Sequence, residues 1–229
     1  AKQRVVKREF LKTADGSLTI HLPDWDEQYH SKHGAIQESK HVFIKTGLHH
    51  FCELYKKQHL AILEIGFGTG LNALLTSQEA VVLDKTISYD GVEAYPISFD
   101  EVQGLNYPEQ LDVDSSGFLK LHEVPWETPQ KITPHFLLHK QKKFFKDITA
   151  LQRYDLIYFD AFGARVQPEL WTQEVFKTMY DALKQDGVLV TYAAKGSVRR
   201  AMQAVGFKVE RLPGPPGKRE MLRASKTLS

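Results

Sequence analysis

Two short apolar runs are the strongest strand predictions along this chain. They read LAIL at residues 60–63 and YDLIYF at residues 154–159. Continuous apolar runs of this length are typical of strands that are covered on both faces, as in a parallel sheet. Helix-like patterns lie between them, so the order of elements predicts an α/β fold with a doubly wound sheet.

The remaining pattern predicts elements on both sides of these two strands. Residues 5–22 predict a β-hairpin with its turn at residues 14–17, and residues 44–55 predict an amphipathic helix. Further strands are expected at residues 86–92, 136–140, 188–193, 206–211 and 218–224. Further helices are expected at residues 71–80, 144–151, 173–183 and 197–202. Residues 113–135 are rich in turn residues, and a strand or two with an irregular connection is expected there.

A glycine-rich turn follows the first buried strand. Its polar and glycine positions are Glu64, Gly66, Gly68, Gly70 and Asn72. A strand, a glycine turn and a helix in this order form the ligand-binding corner of a doubly wound sheet, where the ligand approaches bare backbone. A dinucleotide fingerprint would require glycine at position 71, which is leucine here, so a nicotinamide oxidoreductase is disfavoured.

Two further acids close predicted strands at the same edge of the sheet. Glu93 ends the strand at residues 86–92, where a Rossmann-like fold places the acid that accepts from ribose hydroxyls. A helix cap or a turn acid is the alternative for Glu93. Asp160 ends the strand at residues 154–159, and it lies too far before the helix expected near Pro168 to cap it.

Composition narrows the class of protein. The chain has 229 residues, of which 42% are hydrophobic and 25% charged, which fits one α/β domain with a small appendage. No apolar run approaches the ~20 residues of a membrane helix. The single cysteine, Cys52, excludes an internal disulfide, so a cytoplasmic location is expected. The histidines at positions 30, 33, 41, 49 and 50 lack zinc-site spacing, so we expect no metal and assign them solvated or base-contacting roles.

Basic residues cluster near the end of the chain although the net charge is only +2. The cluster includes Lys195, Arg199, Arg200, Lys218 and Arg219. Such a cluster can neutralise phosphates, which predicts an RNA partner. A merely solvated basic face is the alternative.

Longer blocks of sequence resemble one family. They read YHSKHGAIQESKHVFI, IGFGTGLN, FDAFGARVQPELW and GSVRRAMQAVGFKVERLPGPPGKREMLRA. Together they resemble the methyltransferase portion of the MnmC family, which also occurs as the stand-alone MnmD proteins. The resemblance implies a Rossmann-like sheet that binds S-adenosyl-L-methionine and has an antiparallel C-terminal strand pair. It also implies N-methylation of the aminomethyl group of a wobble uridine in tRNA, which gives 5-methylaminomethyl-(2-thio)uridine.

The resemblance also implies roles for individual residues. The cofactor loop is then formed by Glu64, Gly66, Gly68, Gly70 and Asn72. Glu93 becomes the ribose acid, Asp160 the acid at the amine, and Tyr29 part of an early block that folds over the cofactor. Residues 1–58 would be an N-terminal extension of hairpin and helix on the cofactor site, and residues 59–229 the methyltransferase domain.

The chain departs from the family pattern in two places. The family often has Gly-Asp where this chain has LHKQ at residues 138–141, so no adenine contact is named. Arg165 stands where the family often has proline. No second glycine fingerprint occurs before Ser229, so the FAD-dependent oxidase domain of the fused proteins is not expected in this chain.

Two other functions remain open on the sequence alone. A small-molecule or protein methyltransferase of the same fold would show weak salt dependence of its turnover. A nucleic-acid-binding module with a vestigial pocket would show no affinity for S-adenosyl-L-methionine.

Overall fold

The computed structural model describes residues 7–227, so residues 5 and 6 of the predicted hairpin lie outside the described part. A small antiparallel sheet comes first, in the order β1-β2-β3. Its strands are β1 (Glu9–Lys12), β2 (Leu18–Leu22) and β3 (Glu27–Gln28). The hairpin prediction is confirmed for β1 and β2, and β3 adds a short third strand.

The main sheet has eight strands, in the order β10-β11-β9-β8-β4-β5-β7-β6. These are β4 (His59–Ile65), β5 (Thr86–Glu93), β6 (Gln130–Thr133), β7 (Phe136–Lys142), β8 (Tyr154–Phe159), β9 (Leu183–Thr191), β10 (Lys208–Pro213) and β11 (Glu220–Ser225). Strands β7, β5, β4, β8 and β9 are parallel, whereas β6, β11 and β10 run antiparallel to their neighbours. The predicted α/β class and the antiparallel C-terminal pair are therefore confirmed.

Helices cover both faces of this sheet. They are α1 (Ala35–Ser39), a π-helical segment (Lys40–His49), α2 (His50–Leu54), α3 (Leu71–Val82), α4 (Phe99–Gln103), α5 (Tyr107–Leu111), α6 (Ser115–Glu123), α7 (Gln173–Ala182) and α8 (Gly196–Ala204). Single 3₁₀ turns occupy Phe145–Asp147 and Pro168–Trp171.

Two hydrophobic cores lie on the two sides of the sheet because successive side chains of a strand point to opposite faces. In β4, Ile62 belongs to one core and Leu63 to the other. The first core contains the π-helical segment, α3 and α6, and the second contains α7 and α8. Each central strand is therefore buried on both sides, as its continuous apolar sequence predicts.

The helix predicted at residues 44–55 begins earlier, so that the segment from Ala35 to Leu54 is helical throughout. Its middle is π-helical, and a side-chain carbon at Gly47 would lie 2.9 Å from Val190. Glycine therefore lets this segment lie close against β9. The segment shares the core of the main sheet, and the domain boundary at residue 58 stays a prediction.

The prediction for residues 113–135 was wrong in part, because it missed α6. The Asp114 side chain caps this helix by accepting from the Ser116 backbone nitrogen at 2.6 Å. Phe118 and Leu121 lie one turn apart and are both buried. The turn-rich composition concealed a short helix whose pattern rests on two apolar residues. The expected helix at residues 144–151 is only the 3₁₀ turn Phe145–Asp147.

Candidate active site

A cavity of about 1620 Å³ opens at the carboxyl ends of β4, β5 and β8. Strand β4 lies between β5 and β8. The chain runs from β4 to β5 on one side and later returns to β8 on the other side, and ligands of open α/β sheets bind at such a switch point. The cavity exceeds the ~300–1,000 Å³ of a typical small-molecule pocket. It therefore has room for a cofactor together with part of a second molecule.

The glycine turn brings bare backbone to this cavity. Gly66 has φ +87°, and a side-chain carbon there would lie 2.4 Å from the Asp160 carbonyl oxygen. At Gly68, a side-chain carbon would lie 3.0 Å from the ring of Tyr29. Side chains at these two positions would therefore separate the turn from Asp160 and Tyr29. Gly70, also at positive φ, directly precedes α3.

Asn72, in the first turn of α3, joins two acids of the site. Its Nδ2 donates to Glu64 Oε2 at 2.8 Å and to Asp160 Oδ2 at 3.0 Å. The Tyr89 hydroxyl donates to the other Glu64 oxygen at 2.8 Å. The buried Asn72 Oδ1 accepts no hydrogen bond from the described residues. A buried acceptor without a donor is costly, so this atom points to a ligand that donates a hydrogen bond.

The two acids around Asn72 lie in a poorly solvated environment. Burial raises the pKa of Glu64 well above its usual range, and the nearby Asp160 raises it further. Burial likewise raises the pKa of the half-buried Asp160, Glu38 adds to this, and the Asn72 hydrogen bond and Lys218 oppose it. A cationic ligand would stabilise both carboxylates, so the pocket favours a positively charged group.

Glu93 links the end of β5 to the glycine turn. Its Oε1 accepts from the Gly68 backbone nitrogen at 3.0 Å, and its Oε2 accepts from the Tyr95 nitrogen at 3.2 Å. Burial raises the pKa of Glu93, and these two backbone hydrogen bonds lower it. A carboxylate has about four acceptor positions, so Glu93 can still accept from a ligand that enters the cavity.

Tyr29 lies over the glycine turn from the N-terminal side. Its ring packs edge-on against Phe162, with centroids 4.9 Å apart, and it lines the cavity. Arg165 fixes the segment that follows β8 by donating to the carbonyl oxygens of Trp25 and Asp26, at 3.1 and 2.6 Å. The structure thus brings most of the predicted cofactor and catalytic residues to one cavity, namely Tyr29, Glu64, Gly66, Gly68, Asn72, Glu93 and Asp160. Gly70 does not line this cavity, and a side-chain carbon there would instead lie 2.6 Å from the ring of His122.

Glu38 and Tyr192 are two of the cavity residues that sequence reasoning missed. Glu38 is 3% exposed on α1, and Lys218 Nζ donates to its Oε2 at 2.9 Å. The Tyr192 hydroxyl donates to the Ala161 carbonyl oxygen at 2.6 Å. The spacing of Glu38 was the available signal. It lies three residues after Ala35 and four residues before Val42, and this spacing places it with these two apolar residues on the buried face of a helix.

A second cluster of side chains supports the glycine turn from behind. It consists of Tyr107, His122 of α6 and Lys140. His122 Nε2 donates to the Thr69 carbonyl oxygen at 2.8 Å, and the Tyr107 hydroxyl donates to Thr69 Oγ1 at 3.1 Å. Lys140 Nζ donates to the His122 carbonyl oxygen at 2.9 Å and lies 4.9 Å from the ring centroid of Trp126. Burial lowers the pKa of His122 to about 4 and that of Lys140 to about 8.

The histidines expected to be solvated have mixed surroundings. His30 is buried and shares a hydrogen bond with Thr19 Oγ1 at 2.8 Å, so the expectation was wrong for this residue. His49 lies 2.7 Å from a Glu79 carboxylate oxygen. Within residues 7–227, no group of three or more His, Cys, Asp or Glu side chains is arranged to hold a metal ion.

The predicted basic residues fall into two sets. Lys218 lines the cavity, whereas Lys195, Arg199, Arg200 and Arg219 do not. A further basic group lines the cavity at the end of β7, namely Lys142, Lys143 and Lys146. Among these lysines lies Phe144, which is 50% exposed and packs edge-on against Tyr95, with centroids 6.1 Å apart. No described helix is long and apolar enough to cross a membrane.

Comparison with known proteins identifies the fold and shows which proteins this chain resembles. Residues 122–227 match the profile of a family of S-adenosyl-L-methionine-dependent methyltransferases. The crystal structure of MnmC2 from Aquifex aeolicus superposes with a TM-score of 0.75 at 25% identity, over 96% of this chain and 70% of that one. Spermidine synthase from Thermotoga maritima shares the fold, with a TM-score of 0.58 at 15% identity, over 100% of this chain and 72% of that one.

Curated relatives match nearly the whole chain. The tRNA 5-methylaminomethyl-2-thiouridine biosynthesis bifunctional protein MnmC of Pseudomonas savastanoi is 29% identical over 226 residues, which cover 88% of this chain and 34% of the relative. The MnmC protein of Leptospira interrogans is 29% identical over 230 residues, which cover 94% and 35%. This chain therefore spans about a third of the length of these relatives. The chain is thus similar to the MnmC proteins over nearly its whole length, and its residues 122–227 are similar to a family of S-adenosyl-L-methionine-dependent methyltransferases.

Proposed function

We propose that this protein transfers a methyl group from S-adenosyl-L-methionine to the aminomethyl nitrogen of a wobble uridine in tRNA. The product would be 5-methylaminomethyl-(2-thio)uridine. The observation that carries the proposal is the half-buried Asp160 beside the glycine turn, in a chain similar to MnmC over nearly its whole length. A tRNA substrate also favours the cytoplasm as the location.

The residues at the glycine turn fit the cofactor. The bare backbone at Gly66 and Gly68 leaves space for it, and the unpaired Asn72 Oδ1 can accept from its methionine ammonium group. Bound there, S-adenosyl-L-methionine supplies an electrophilic methyl group on a sulfonium. Glu64 balances positive charge through Asn72, and Glu93 accepts from the ribose hydroxyls.

Aromatic side chains complete the cofactor site in this proposal. Tyr29 covers the glycine turn from the N-terminal side, which agrees with residues 1–58 packing on the cofactor site. Tyr95 and Phe144 line the same cavity next to Glu93 and at the end of β7. Their exposed rings offer a surface on which adenine can stack. The LHKQ segment at residues 138–141 does not line this cavity, and Lys140 donates instead to the His122 carbonyl oxygen.

Asp160 is the residue that acts on the acceptor amine. An aliphatic amine has a pKa of about 10, so at neutral pH it carries a proton and has no free lone pair. Asp160 can bind this ammonium group and orient it, which is a positioning effect. Its raised pKa makes it a better proton acceptor than an ordinary aspartate, so it can also take the proton, directly or through water.

Cations along the cavity favour a nucleic acid over a small free amine. Lys142, Lys143 and Lys146 line the cavity together, and lysines grouped in this way can neutralise the phosphates of a polynucleotide. A uridine stacked in the anticodon loop must leave its stack to reach Asp160, as in other enzymes that act on one base. The size of the cavity is sufficient for both the cofactor and an extruded nucleoside.

The test is mass analysis of tRNA nucleosides. tRNA that carries 5-aminomethyluridine, with and without the 2-thio group, is incubated with the protein and S-adenosyl-L-methionine and then digested. We expect the aminomethyl nucleoside to gain one methyl group, and tRNA without the aminomethyl group to remain unchanged. Methylation of free small amines with no turnover of tRNA would instead indicate a small-molecule methyltransferase.

A further inference from the structure

An ion pair between Glu38 and Lys218 lines the cavity. Lys218 Nζ lies 2.9 Å from Glu38 Oε2, and the two side chains are 31% and 4% exposed. Glu38 comes from α1, near the start of the chain, and Lys218 from the loop between β10 and β11, near its end. We call the part of the cavity lined by Glu38, Glu64, Asp160, Tyr192 and Lys218 the acidic pocket.

Both partners are held in place by their surroundings. The Ser31 backbone nitrogen donates to Glu38 Oε1 at 3.2 Å, and Lys218 Nζ lies 4.1 Å from the ring centroid of Tyr192. Gly217 has φ +85°, and a side-chain carbon there would lie 2.1 Å from the ring of His33. The loop that carries Lys218 thus packs closely on the segment before α1.

Stability alone does not explain a pair in this position. Removing two charges from water costs about as much as their attraction returns, so a buried ion pair adds little net stability. An apolar pair would close the cavity wall equally well. The pair is also incompletely buried on the side of Lys218, where it faces the cavity. The charges of the pair can therefore act on groups inside the cavity.

Glu38 and Lys218 line the same cavity as Asp160, so the charge of each can act on the Asp160 carboxyl group. After burial, the charge of Glu38 is the strongest influence that raises the pKa of Asp160, and Lys218 lowers it. The other titratable groups that face Asp160 are Glu64, Tyr89, Glu93, Tyr107 and Tyr192. Those that face Glu38 are His30, Asp160, Tyr192 and Lys218. Among these groups, all of which belong to residues 7–227, Lys218 is the one cation that acts on Asp160.

We propose that the Glu38–Lys218 pair controls the protonation of Asp160 and of the acceptor amine. Glu38 and Lys218 are then positioning residues for methyl transfer. Glu38 favours the bound ammonium form of the acceptor and holds the proton in the acidic pocket. Lys218 limits this effect, so that Asp160 and the amine can still lose a proton near neutral pH. Lys218 then acts inside the site rather than on a phosphate. The inference rests on the proposed function, because it takes an amine as the acceptor.

The test compares the pH dependence of kcat and of kcat/KM for methyl transfer to tRNA in single variants. Glu38→Gln removes a negative charge, so the acidic limb of the profile should move to lower pH. Lys218→Met removes a positive charge, so the same limb should move to higher pH. Each shift should be about one pH unit, the low end for one neighbouring charge. Lys218→Arg keeps the charge and should restore the wild-type profile.

Matched controls separate this effect from a general change in surface charge. Glu53→Gln and Lys40→Met change exposed residues of the same helical region and should leave the profile unmoved. Thermal melting reports whether each variant folds. If Glu38→Gln does not fold, the comparison of Lys218→Met with Lys218→Arg decides alone. Unmoved limbs, or limbs that move in the same direction in both variants, overturn the proposal.

A measurement without tRNA keeps this inference separate from the proposed function. Carbon-13 NMR of labelled aspartate carboxyls, assigned with Asp160→Asn, gives the pKa of Asp160 in the protein alone. It should fall in Glu38→Gln and rise in Lys218→Met. A wild-type protein that methylates no tRNA would overturn the proposed function, whereas an unmoved Asp160 signal in both variants would overturn only this inference.

Discussion

The side-chain amide of Asn72 holds two acids within hydrogen-bond distance of one nitrogen. Carboxylates at such a distance repel each other unless a donor or a cation lies between them. Asn72 Nδ2 supplies the donor for Glu64 and Asp160, and its unpaired oxygen leaves a place for a ligand donor. The site is therefore arranged for a positively charged ligand, which would stabilise the charged form of both carboxylates.

Glu93→Ala should weaken binding of S-adenosyl-L-methionine by about 1–3 kcal/mol, the scale of lost hydrogen bonds to a charged group. The reason is twofold, because the variant loses the ribose acceptor and also frees the Gly68 nitrogen. Titration calorimetry measures the affinity. Glu93→Gln is the control, since its amide oxygen can still accept from Gly68, and it should lose less. Unchanged affinity in Glu93→Ala would remove this residue from the site.

Asp160→Asn should retain S-adenosyl-L-methionine binding and lose at least ~10²-fold in turnover on tRNA, the low end for a positioned acid–base group. Higher pH should recover part of the loss if deprotonation of the amine limits the variant. Single-turnover kinetics on tRNA measures the effect. Near-normal turnover of this variant would contradict the role of Asp160.

The same variant should be more stable than the wild type without ligand. Because the folded-state pKa of Asp160 is raised, its stabilising contribution is present below pH ~4 and is lost as the pH rises through the folded-state pKa. Urea unfolding should thus show an advantage of Asp160→Asn that grows between pH 4 and pH 8. Asp24→Asn, at an exposed turn, should show none. A constant difference across this range would contradict the raised pKa.

At the scale of elements, α6 and β7 fix the glycine turn from behind. His122 of α6 donates to the Thr69 carbonyl oxygen, and Lys140 of β7 donates to the carbonyl oxygen of His122. Because His122 donates through Nε2 and its pKa is about 4, its ring is neutral at physiological pH. The glycine turn is thus held by groups whose hydrogen bonds do not depend on a charge at His122.

His122→Gln should keep S-adenosyl-L-methionine binding near the wild-type level, because the glutamine amide can donate to Thr69, whereas His122→Ala should weaken it. The lowered pKa of His122 means that its contribution to stability is present above pH ~6.5 and is lost as the pH falls towards about 4. Unfolding at pH 7 and pH 5 should show a wild-type loss on the order of 1–3 kcal/mol from this residue, which His122→Gln removes. Equal pH dependence in both proteins would contradict this.

The elements that the sequence predicts well are those whose signal is local. Strands β4 and β8 are continuous apolar runs, and the glycine turn and the acids Glu93 and Asp160 follow strand ends directly. Glu38 and Lys218 are 180 residues apart, and their meeting depends on the packing of α1 against the β10–β11 loop. No local pattern encodes such a contact. Helix α6 does have a local pattern, but the pattern is weak, because only two of its nine residues are buried apolar positions.

For the whole molecule, the distribution of cations decides how a large polyanion would dock. Lys142, Lys143 and Lys146 line the cavity, whereas Lys195, Arg199, Arg200 and Arg219 lie outside its lining. A tRNA is large enough to contact both sets at once. Surface contacts to phosphates release counterions, so affinity should fall steeply with salt.

Reversal of Arg199 and Arg200 to glutamate should raise the tRNA concentration needed for half-maximal turnover and flatten its salt dependence, while S-adenosyl-L-methionine affinity is unchanged. Filter binding between low and high salt, with calorimetry for the cofactor, measures both. Reversal of Lys56 and Lys131, which are exposed elsewhere, changes the net charge equally and serves as the control. Unaltered tRNA affinity would make the cluster a solvated surface.

The position of β11 between β9 and β10 has a consequence for the order in which the molecule can assemble. Strand β10 is synthesised first, yet it joins the sheet only through β11. During synthesis on the ribosome, β10 therefore stays unpaired until β11 has been made, and an unpaired strand can pair with other chains. Lys208, Glu210 and Arg211 are exposed along it and discourage such pairing. Because Lys218 lies in the connection between the two strands, the acidic pocket receives its cation only when this last pairing forms.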